Sequence, residues 1–199
     1  MPLFDTLTQM LACLEDQGQR AALLGGLAVS AWTEPRFTRD VDLAVAVHSD
    51  ADAELLVRRL SQNGYRVLAT VEQKATHRLA SARLLPHGET AEGMVVDLLF
   101  ASSGIERDIV AAAAELDIGA GTAVRVARVG HLVALKLLSH DPQTRPQDGL
   151  DLRLLRSALD ATEAERARVA CGLIVQRGFN RGRELQALLE SYLATTQED

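Results

Sequence analysis

Residues 25–43 read GGLAVSAWTEPRFTRDVDL, and this stretch carries the strongest indication of the fold. It follows a short apolar run, residues 21–24, that is typical of a buried strand. The glycine pair leads into a short helix, predicted over 27–32, and Pro35 lies in the polar loop that follows. Residues 40–47 alternate in part between apolar and polar side chains, which predicts a second strand. The predicted order is therefore strand, glycine turn, helix, loop and strand.

Two carboxylates lie on this second strand. Asp40 and Asp42 are two residues apart, and since side chains alternate along a strand, both project from one face with their Cα atoms about 7 Å apart. Val41 and Leu43 point the other way, into apolar packing. Two like charges on a half-buried face repel each other, and a divalent cation with oxygen ligands would remove that conflict. The pattern predicts a metal site that suits Mg²⁺, with Mn²⁺ as a second candidate.

A third carboxylate interrupts a later apolar run. Asp97 lies within MVVDLLF, residues 94–100, which is predicted to form a central strand. An acid in such a strand needs a partner to be tolerated. If this strand lies beside residues 40–47, then Asp40, Asp42 and Asp97 converge. Three converging carboxylates form a ligand set for two Mg²⁺ ions, an arrangement that supports displacement at a phosphoryl group.

Residues around the glycine pair fit the same chemistry. Backbone N–H groups at Gly25 and Gly26, between a strand and a helix, can receive phosphate oxygens. Ser30 lies one helical turn further on and can add a hydroxyl. Arg36 and Arg39 flank the start of the strand and can neutralise the charge of a triphosphate. These five residues are the predicted nucleotide-binding set.

The rest of the sequence predicts strands and helices in alternation, followed by helices alone. Helices are predicted at 2–17, 49–62, 105–115, 129–139 and 147–159, and strands at 65–71, 77–85, 93–100 and 124–126. Predicted helix caps are Ser49 and the capping-box pairs Ser103/Glu106 and Thr162/Glu165. This layout indicates an α/β (α+β) fold, a mixed sheet flanked by helices. We expect one domain over 1–159 and a C-terminal helical appendage over 160–199 packed on it.

The composition excludes several classes of protein. Of the 199 residues, 47% are hydrophobic and 24% charged, as in a folded globular chain. No apolar stretch approaches the roughly 20 residues that span a bilayer, and no signal peptide is evident, so we expect a soluble, cytoplasmic protein without a membrane partner. The two cysteines are far apart and predict neither a zinc site nor a disulfide. The net charge of −6 gives no expectation of DNA readout but is compatible with a local basic groove. Lys74, Arg78 and Arg83 are candidates for such a groove, and a solvated strand face is an equally good interpretation of them.

The glycine pair, RFTRDVDL at 36–43 and VDLL at 96–99 resemble the nucleotidyltransferase superfamily with the polymerase-β-like fold. The best match within it is the AbiEii-type nucleotidyltransferases of bacterial toxin–antitoxin systems. HLVALKL at 131–137 is similar to that family's LxxLK helix, and RPQDGLDL at 145–152 to its RxKDxxDL motif, with Gln147 in place of the usual Lys. The resemblance covers about residues 20–155. Many relatives have Gly-Ser where this chain has two glycines.

The resemblance implies roles for named residues. Asp40, Asp42 and Asp97 would bind the metals, and Asp97 would also help to deprotonate the attacking hydroxyl. Lys136 would contact phosphates or the acceptor, and Asp148 would position Lys136 or the base. The implied substrate is a nucleoside triphosphate such as ATP, the implied acceptor is the 3′ end of tRNA, and the implied protein partner is a cognate antitoxin.

Three alternatives stay open. A nucleotidyltransferase that modifies an antibiotic or another small molecule would use the same carboxylates. A non-catalytic module of this fold would bind the nucleotide without turnover. A metal-dependent phosphohydrolase would use water as the acceptor and release free NMP, although a glycine motif ahead of the carboxylates favours transfer.

Overall fold

The computed structural model describes residues 3–74, 76–90, 93–119 and 121–195. The helices in these ranges are α1 (Leu3–Asp16), α2 (Gly25–Trp32), α3 (Asp50–Gln62), α4 (Glu106–Ala112), α5 (Val129–Ser139), α6 (Pro146–Leu155), α7 (Ala161–Gln176) and α8 (Leu185–Ala194). The strands are β1 (Ala21–Leu23), β2 (Asp40–Val45), β3 (Arg66–Glu72), β4 (Leu79–Leu85), β5 (Val95–Leu99), β6 (Ala114–Asp117) and β7 (Ala123–Val126). Across the described ranges, every helix is too short or too polar to cross a lipid bilayer.

The strands form one mixed sheet in the order β3-β4-β5-β2-β1-β7-β6. β2 is parallel to β5 and β1 is parallel to β7, whereas the other neighbours are antiparallel. The predicted mixed α/β fold is confirmed. β2 and β5 are direct neighbours in the sheet, which is the condition for the three predicted carboxylates to meet.

The alternation along β2 sets which face carries the carboxylates. Val41 and Leu43 are fully buried, while Asp40 and Asp42 are partly exposed on the opposite face. Burying each of these apolar side chains contributes about 1.5–3 kcal/mol. A shift of β2 by one residue would turn both acids into the core, so apolar packing on one face fixes the position of the acids on the other.

The C-terminal helices pack on α5. Gly130 of α5 lies so close to α7 that an added Cβ would be 2.8 Å from the backbone N of Ala167. The backbone N of Gly130 also donates to the buried carboxylate of Glu163 at 2.9 Å. Cys171 and Ile174 of α7 are fully buried and belong to the same hydrophobic core as the sheet. The C-terminal segment is therefore closely joined to the rest of the fold.

Several local predictions need correction. The helix predicted to reach Glu115 ends at Ala112, and Ala114–Asp117 instead forms β6, which pairs with β7. The alanines of this segment favour helix, but pairing covers an otherwise open edge of β7. The helix predicted to run to residue 159 ends at Leu155 and continues as a 3-10 turn over Arg156–Ala158.

The predicted caps have mixed outcomes. Ser49 caps α3, since its side chain accepts from the backbone N of Asp52. The cap of α7 is Asp160 and not Thr162, because the Asp160 carboxylate accepts from Glu163 N at 2.8 Å. The Glu106 carboxylate does accept hydrogen bonds from Ser103, but the residue preceding α4 makes no side-chain cap.

Candidate active site

The three carboxylates lie together on one face of the sheet. In the pairing of β2 with β5, Asp42 is opposite Asp97, and Asp40 is opposite Val95. Neighbouring strands are about 4.8 Å apart, and residues opposite one another project from the same face. Asp40, Asp42 and Asp97 all line a cleft of about 760 Å³. The structure therefore brings together the acids that the sequence singled out.

Arg83 of β4 also enters this cluster. It lies opposite Asp97 in the pairing of β4 with β5, and its Nε and Nη2 donate to Oδ1 and Oδ2 of Asp97 at 2.9 and 2.6 Å. Nη2 is also 3.9 Å from Oδ2 of Asp40. The hydrogen bonds to Asp97 raise the pKa of Arg83 above its usual range, so the guanidinium stays charged. Arg78, which lies between β3 and β4, instead pairs with Asp50, and neither of these lines the cleft.

Asp42 is the most perturbed acid of the site. Burial and then the negative charges of Asp97 and Asp40 raise the pKa of Asp42 to about 6. The positive charges of Lys136 and Arg145 act in the opposite direction. A carboxylate in these surroundings gains from any additional positive charge placed beside it.

The donor set fits a divalent cation by its chemistry. The side chains supply oxygen donors, which Mg²⁺ and Mn²⁺ prefer, and a cation would relieve the repulsion that raises the pKa of Asp42. Among the described residues, no three or more His, Cys, Asp or Glu side chains already surround an ion position. Both oxygens of Asp97 accept hydrogen bonds from Arg83.

Gly25 and Gly26 border the cleft at the start of α2. Gly25 has φ of +62°, a conformation that favours glycine, and an added Cβ would overlap the carboxylate of Asp42. A Cβ at Gly26 would lie 2.6 Å from Nη2 of Arg36. No side chain caps the first turn of α2. Because both residues are glycines, the side chains of Asp42 and Arg36 fit directly beside the backbone. The N-terminus of α2 has no side-chain cap and suits an anion.

Of the other predicted nucleotide-binding residues, one lines the cleft and two do not. Arg36 lines the cleft and pairs with Asp151 through Nε at 2.7 Å and Nη2 at 2.9 Å. Ser30 accepts a hydrogen bond from the backbone N of Arg36 at 3.2 Å, and Arg39 lies over the ring of Phe37 at 5.5 Å. Ser30 and Arg39 do not border the cleft. Of the five residues, the structure brings only the glycine pair and Arg36 to the carboxylates.

Lys136 of α5 is held between two carboxylates of α6. Its Nζ is 2.7 Å from Oδ1 of Asp148 and 2.7 Å from Oδ2 of Asp151, whose side chains are only 2% and 0% exposed. Burial alone would raise the pKa of Asp148, but the hydrogen bond from Lys136, the charge of Lys136 and the hydroxyl of Ser139 together lower it. The contact predicted between Asp148 and Lys136 is present. Asp151 makes an equal contact, which fixes the ammonium group at the cleft wall.

Arg181 enters the cleft from the turn between α7 and α8, where sequence reasoning expected no site residue. It has φ of +55°, and its Nη2 donates to the backbone O and the hydroxyl of Ser102 at 3.0 and 3.2 Å. No carboxylate in the described part of the chain forms an ion pair with Arg181. Burial and then the charge of Arg145 lower its pKa. Its only sequence signal is a short run rich in arginine and glycine, which is common on solvated surfaces.

Comparison with known protein families gives one match, over residues 9–198. That family is described as "Nucleotidyl transferase AbiEii toxin, Type IV TA system". No curated protein is significantly similar to the chain in sequence.

Solved structures with the same fold include an antibiotic-resistance factor, ANT(2'')-Ia. Its solution structure has a TM-score of 0.54 and 19% identity, covering 94% of this chain and 94% of that chain. Its crystal structure in complex with adenylyl-2''-tobramycin has a TM-score of 0.52 and 18% identity, covering 96% and 98%. An antigenic nucleotidyltransferase-like protein from Paracoccidioides brasiliensis has a TM-score of 0.51 and 20% identity, covering 95% and 90%. The polymerase-β-like fold expected from the resemblance is confirmed.

Proposed function

This chain belongs to the AbiEii nucleotidyltransferase family, and we propose that it moves a nucleoside monophosphate from an NTP to an acceptor hydroxyl, with release of pyrophosphate. The observation that carries this proposal is the pairing of Asp42 with Asp97 on neighbouring strands, beside the glycine turn at Gly25. Acids next to an anion-binding helix terminus suit a reaction in which a triphosphate is held while its α-phosphate is attacked.

Asp40, Asp42 and Asp97 would hold the divalent metal, Mg²⁺ or Mn²⁺. When bound, the metal would neutralise charge on the transferring phosphoryl group and orient the attacking and leaving oxygens. The start of α2 receives phosphate oxygens of an NTP such as ATP. Lys136, fixed by its two buried partners, adds positive charge at the cleft wall without having to be ordered during the reaction.

We propose that the acceptor is the 3′ end of tRNA. The protein then acts as a toxin in the cytoplasm and is paired with a cognate antitoxin. Two arginines on one side of the cleft, Arg145 and Arg181, support an acceptor that carries phosphates. Arg145 is 58% exposed in its pair with Asp148, and Arg181 has no carboxylate partner among the described residues. The family description names a toxin of a toxin–antitoxin system, which supports the proposed role as a toxin.

A small-molecule acceptor is the second candidate. It is favoured by the shared fold with ANT(2'')-Ia, which has been crystallised with an adenylylated antibiotic. The same pair of arginines favours an acceptor that carries phosphates over a polycationic antibiotic.

The test is a transfer assay with purified protein, Mg²⁺ and each of the four NTPs labelled at the α-phosphate. One set of reactions contains total tRNA and another a panel of aminoglycosides. We expect label on the 3′ end of tRNA, none with Asp42→Asn, and full labelling with the control Asp16→Asn, an exposed acid at the end of α1.

Each other result contradicts a defined part of the proposal. Label on an antibiotic alone would replace the acceptor. Free NMP without a labelled acceptor would indicate a hydrolase, and nucleotide binding without turnover would indicate a non-catalytic module. Expression in a bacterium tests toxicity, since growth arrest by the wild type and not by Asp40→Ala is expected.

A further inference from the structure

Arg83 holds the third carboxylate of the site in a closed pair. Two parallel hydrogen bonds, at 2.9 and 2.6 Å, engage both oxygens of Asp97. The side chain of Asp97 is 16% exposed, while that of Arg83 is 47% exposed. The acid is thus fixed at the cleft floor, whereas the guanidinium is reached by solvent from the cleft.

The charge of Arg83 acts on the whole cluster. Its Nη2 is 3.9 Å from Asp40, and Asp42 contributes to the electrostatics of the same guanidinium. The guanidinium of Arg83 therefore interacts electrostatically with all three acids. A divalent cation drawn to those acids would meet this positive charge and would need the oxygens of Asp97 that Arg83 occupies.

We propose that Arg83 is an exchangeable counter-cation of the site, which competes with the divalent metal for Asp97 and so weakens metal binding. This inference rests on the proposed function only in that Asp40, Asp42 and Asp97 are the metal-binding acids. Exchange is feasible because the Arg83 side chain is 47% exposed, so that water can solvate the guanidinium once it leaves Asp97. Arg83 can turn into the cleft, which it already lines, without any change in β4.

A purely structural role makes a different prediction. If Arg83 served only to tie β4 to β5, its loss would lower stability and would leave metal affinity unchanged. If Arg83 oriented Asp97 for the metal, its loss would weaken metal binding. Only competition predicts that metal binds more tightly when the guanidinium is removed.

The experiment measures binding of Mn²⁺ alone to the full chain, by the electron paramagnetic resonance signal of free Mn²⁺ and by calorimetry. We expect Arg83→Gln to tighten the Kd by at least about fivefold, because two unit charges near 4 Å in a water-like medium repel by about that factor and Mn²⁺ carries two. Arg83→Lys keeps the charge but loses the paired hydrogen bonds, and its Kd for Mn²⁺ should lie between those of the wild type and Arg83→Gln. Arg78→Gln removes the same charge from the same hairpin, outside the cleft, and should bind as the wild type does.

The outcomes separate this inference from the proposed function. Asp42→Asn must abolish or greatly weaken the Mn²⁺ binding, and binding that is unaffected by this substitution contradicts the proposed metal site itself. Binding that needs Asp42 but is unchanged or weakened in Arg83→Gln overturns only the role given to Arg83. Circular dichroism of each variant shows that it is folded, and if Arg83→Gln is not folded, the Arg83→Lys affinity decides, since an unchanged value contradicts competition.

Discussion

The backbone of Gly25 and the carboxylate of Asp42 are in such close contact that a methyl group at position 25 would lie 2.6 Å from Cγ of Asp42 and would overlap its Oδ2. The glycine therefore does two things at once. It adopts a left-handed backbone conformation, and it leaves the space into which a site acid packs.

Gly25→Ala should lower kcat/KM by about 100-fold or more, because displacing a site group by about 1 Å can cost that much. Stability should fall by about 1 kcal/mol through the positive φ alone. The matched control is Gly18→Ala, with φ of +67° and no atom within 4 Å of the added Cβ. It should show the same loss of stability with normal activity, measured by steady-state kinetics and urea unfolding. Equal activity of the two variants would show that the Gly25 contact is not needed.

Asp151→Asn should lower the free energy of unfolding by about 3–5 kcal/mol, the usual result of removing one charge from a buried ion-pair network. Asp151 is fully buried and pairs with both Arg36 and Lys136. The comparison is Asp50→Asn, which breaks a half-exposed pair with Arg78 and should cost no more than about 1 kcal/mol. Denaturant unfolding of both variants measures the difference, and similar losses would contradict a structural role for the buried network.

Arg181→Gln should raise the KM for a tRNA acceptor by about tenfold and leave kcat little changed, because the lost contact would be to a phosphate and not to the reacting atoms. The dependence of log KM on log salt should become shallower by about one. Arg168→Gln removes an arginine that pairs with Glu190 on the surface and should behave as the wild type. A KM unchanged in Arg181→Gln would exclude Arg181 from acceptor binding.

His131 should make the folded protein sensitive to acid. Burial, then the charge of Arg166, lowers the pKa of His131 from 6.5 to about 4, with Glu163 and Asp108 opposing and Arg128 assisting. His131 therefore becomes protonated near pH 6.5 in the unfolded chain but only near pH 4 in the folded chain. Stability is present above pH 6.5 and is lost as the pH falls towards 4, by up to about 3 kcal/mol.

The measurement is the free energy of unfolding at several pH values for the wild type and for His131→Leu. We expect the variant to lose less stability than the wild type between pH 7 and pH 4. His48→Gln, at an exposed histidine, is the control and should follow the wild type. If the free energy of unfolding changes with pH in the same way for all three proteins, protonation of His131 does not contribute to the loss of stability in acid.

Much of the fold was predictable because its signals are local. The alternation of Asp40 to Leu43 and the apolar run around Asp97 predicted the two central strands, and Ser49 marked the start of α3. The missed strand, Ala114–Asp117, has residues that favour helix in isolation. Its pairing with β7 outweighs that preference, and pairing cannot be read from the segment itself.

The sequence by itself determined the chemistry of the site: three acids at spacings that place two of them on one strand face, a glycine pair before them, and a lysine with an acid twelve residues later. The tertiary structure decided which charges meet. Arg36 pairs with Asp151, which is 115 residues away in the sequence. Arg83 pairs with Asp97, and Arg181 enters the cleft from the turn between α7 and α8. The physical reason is that backbone periodicity is set by neighbours along the chain, whereas ion pairs depend on strand order and helix packing, which bring distant residues together only when the chain is folded.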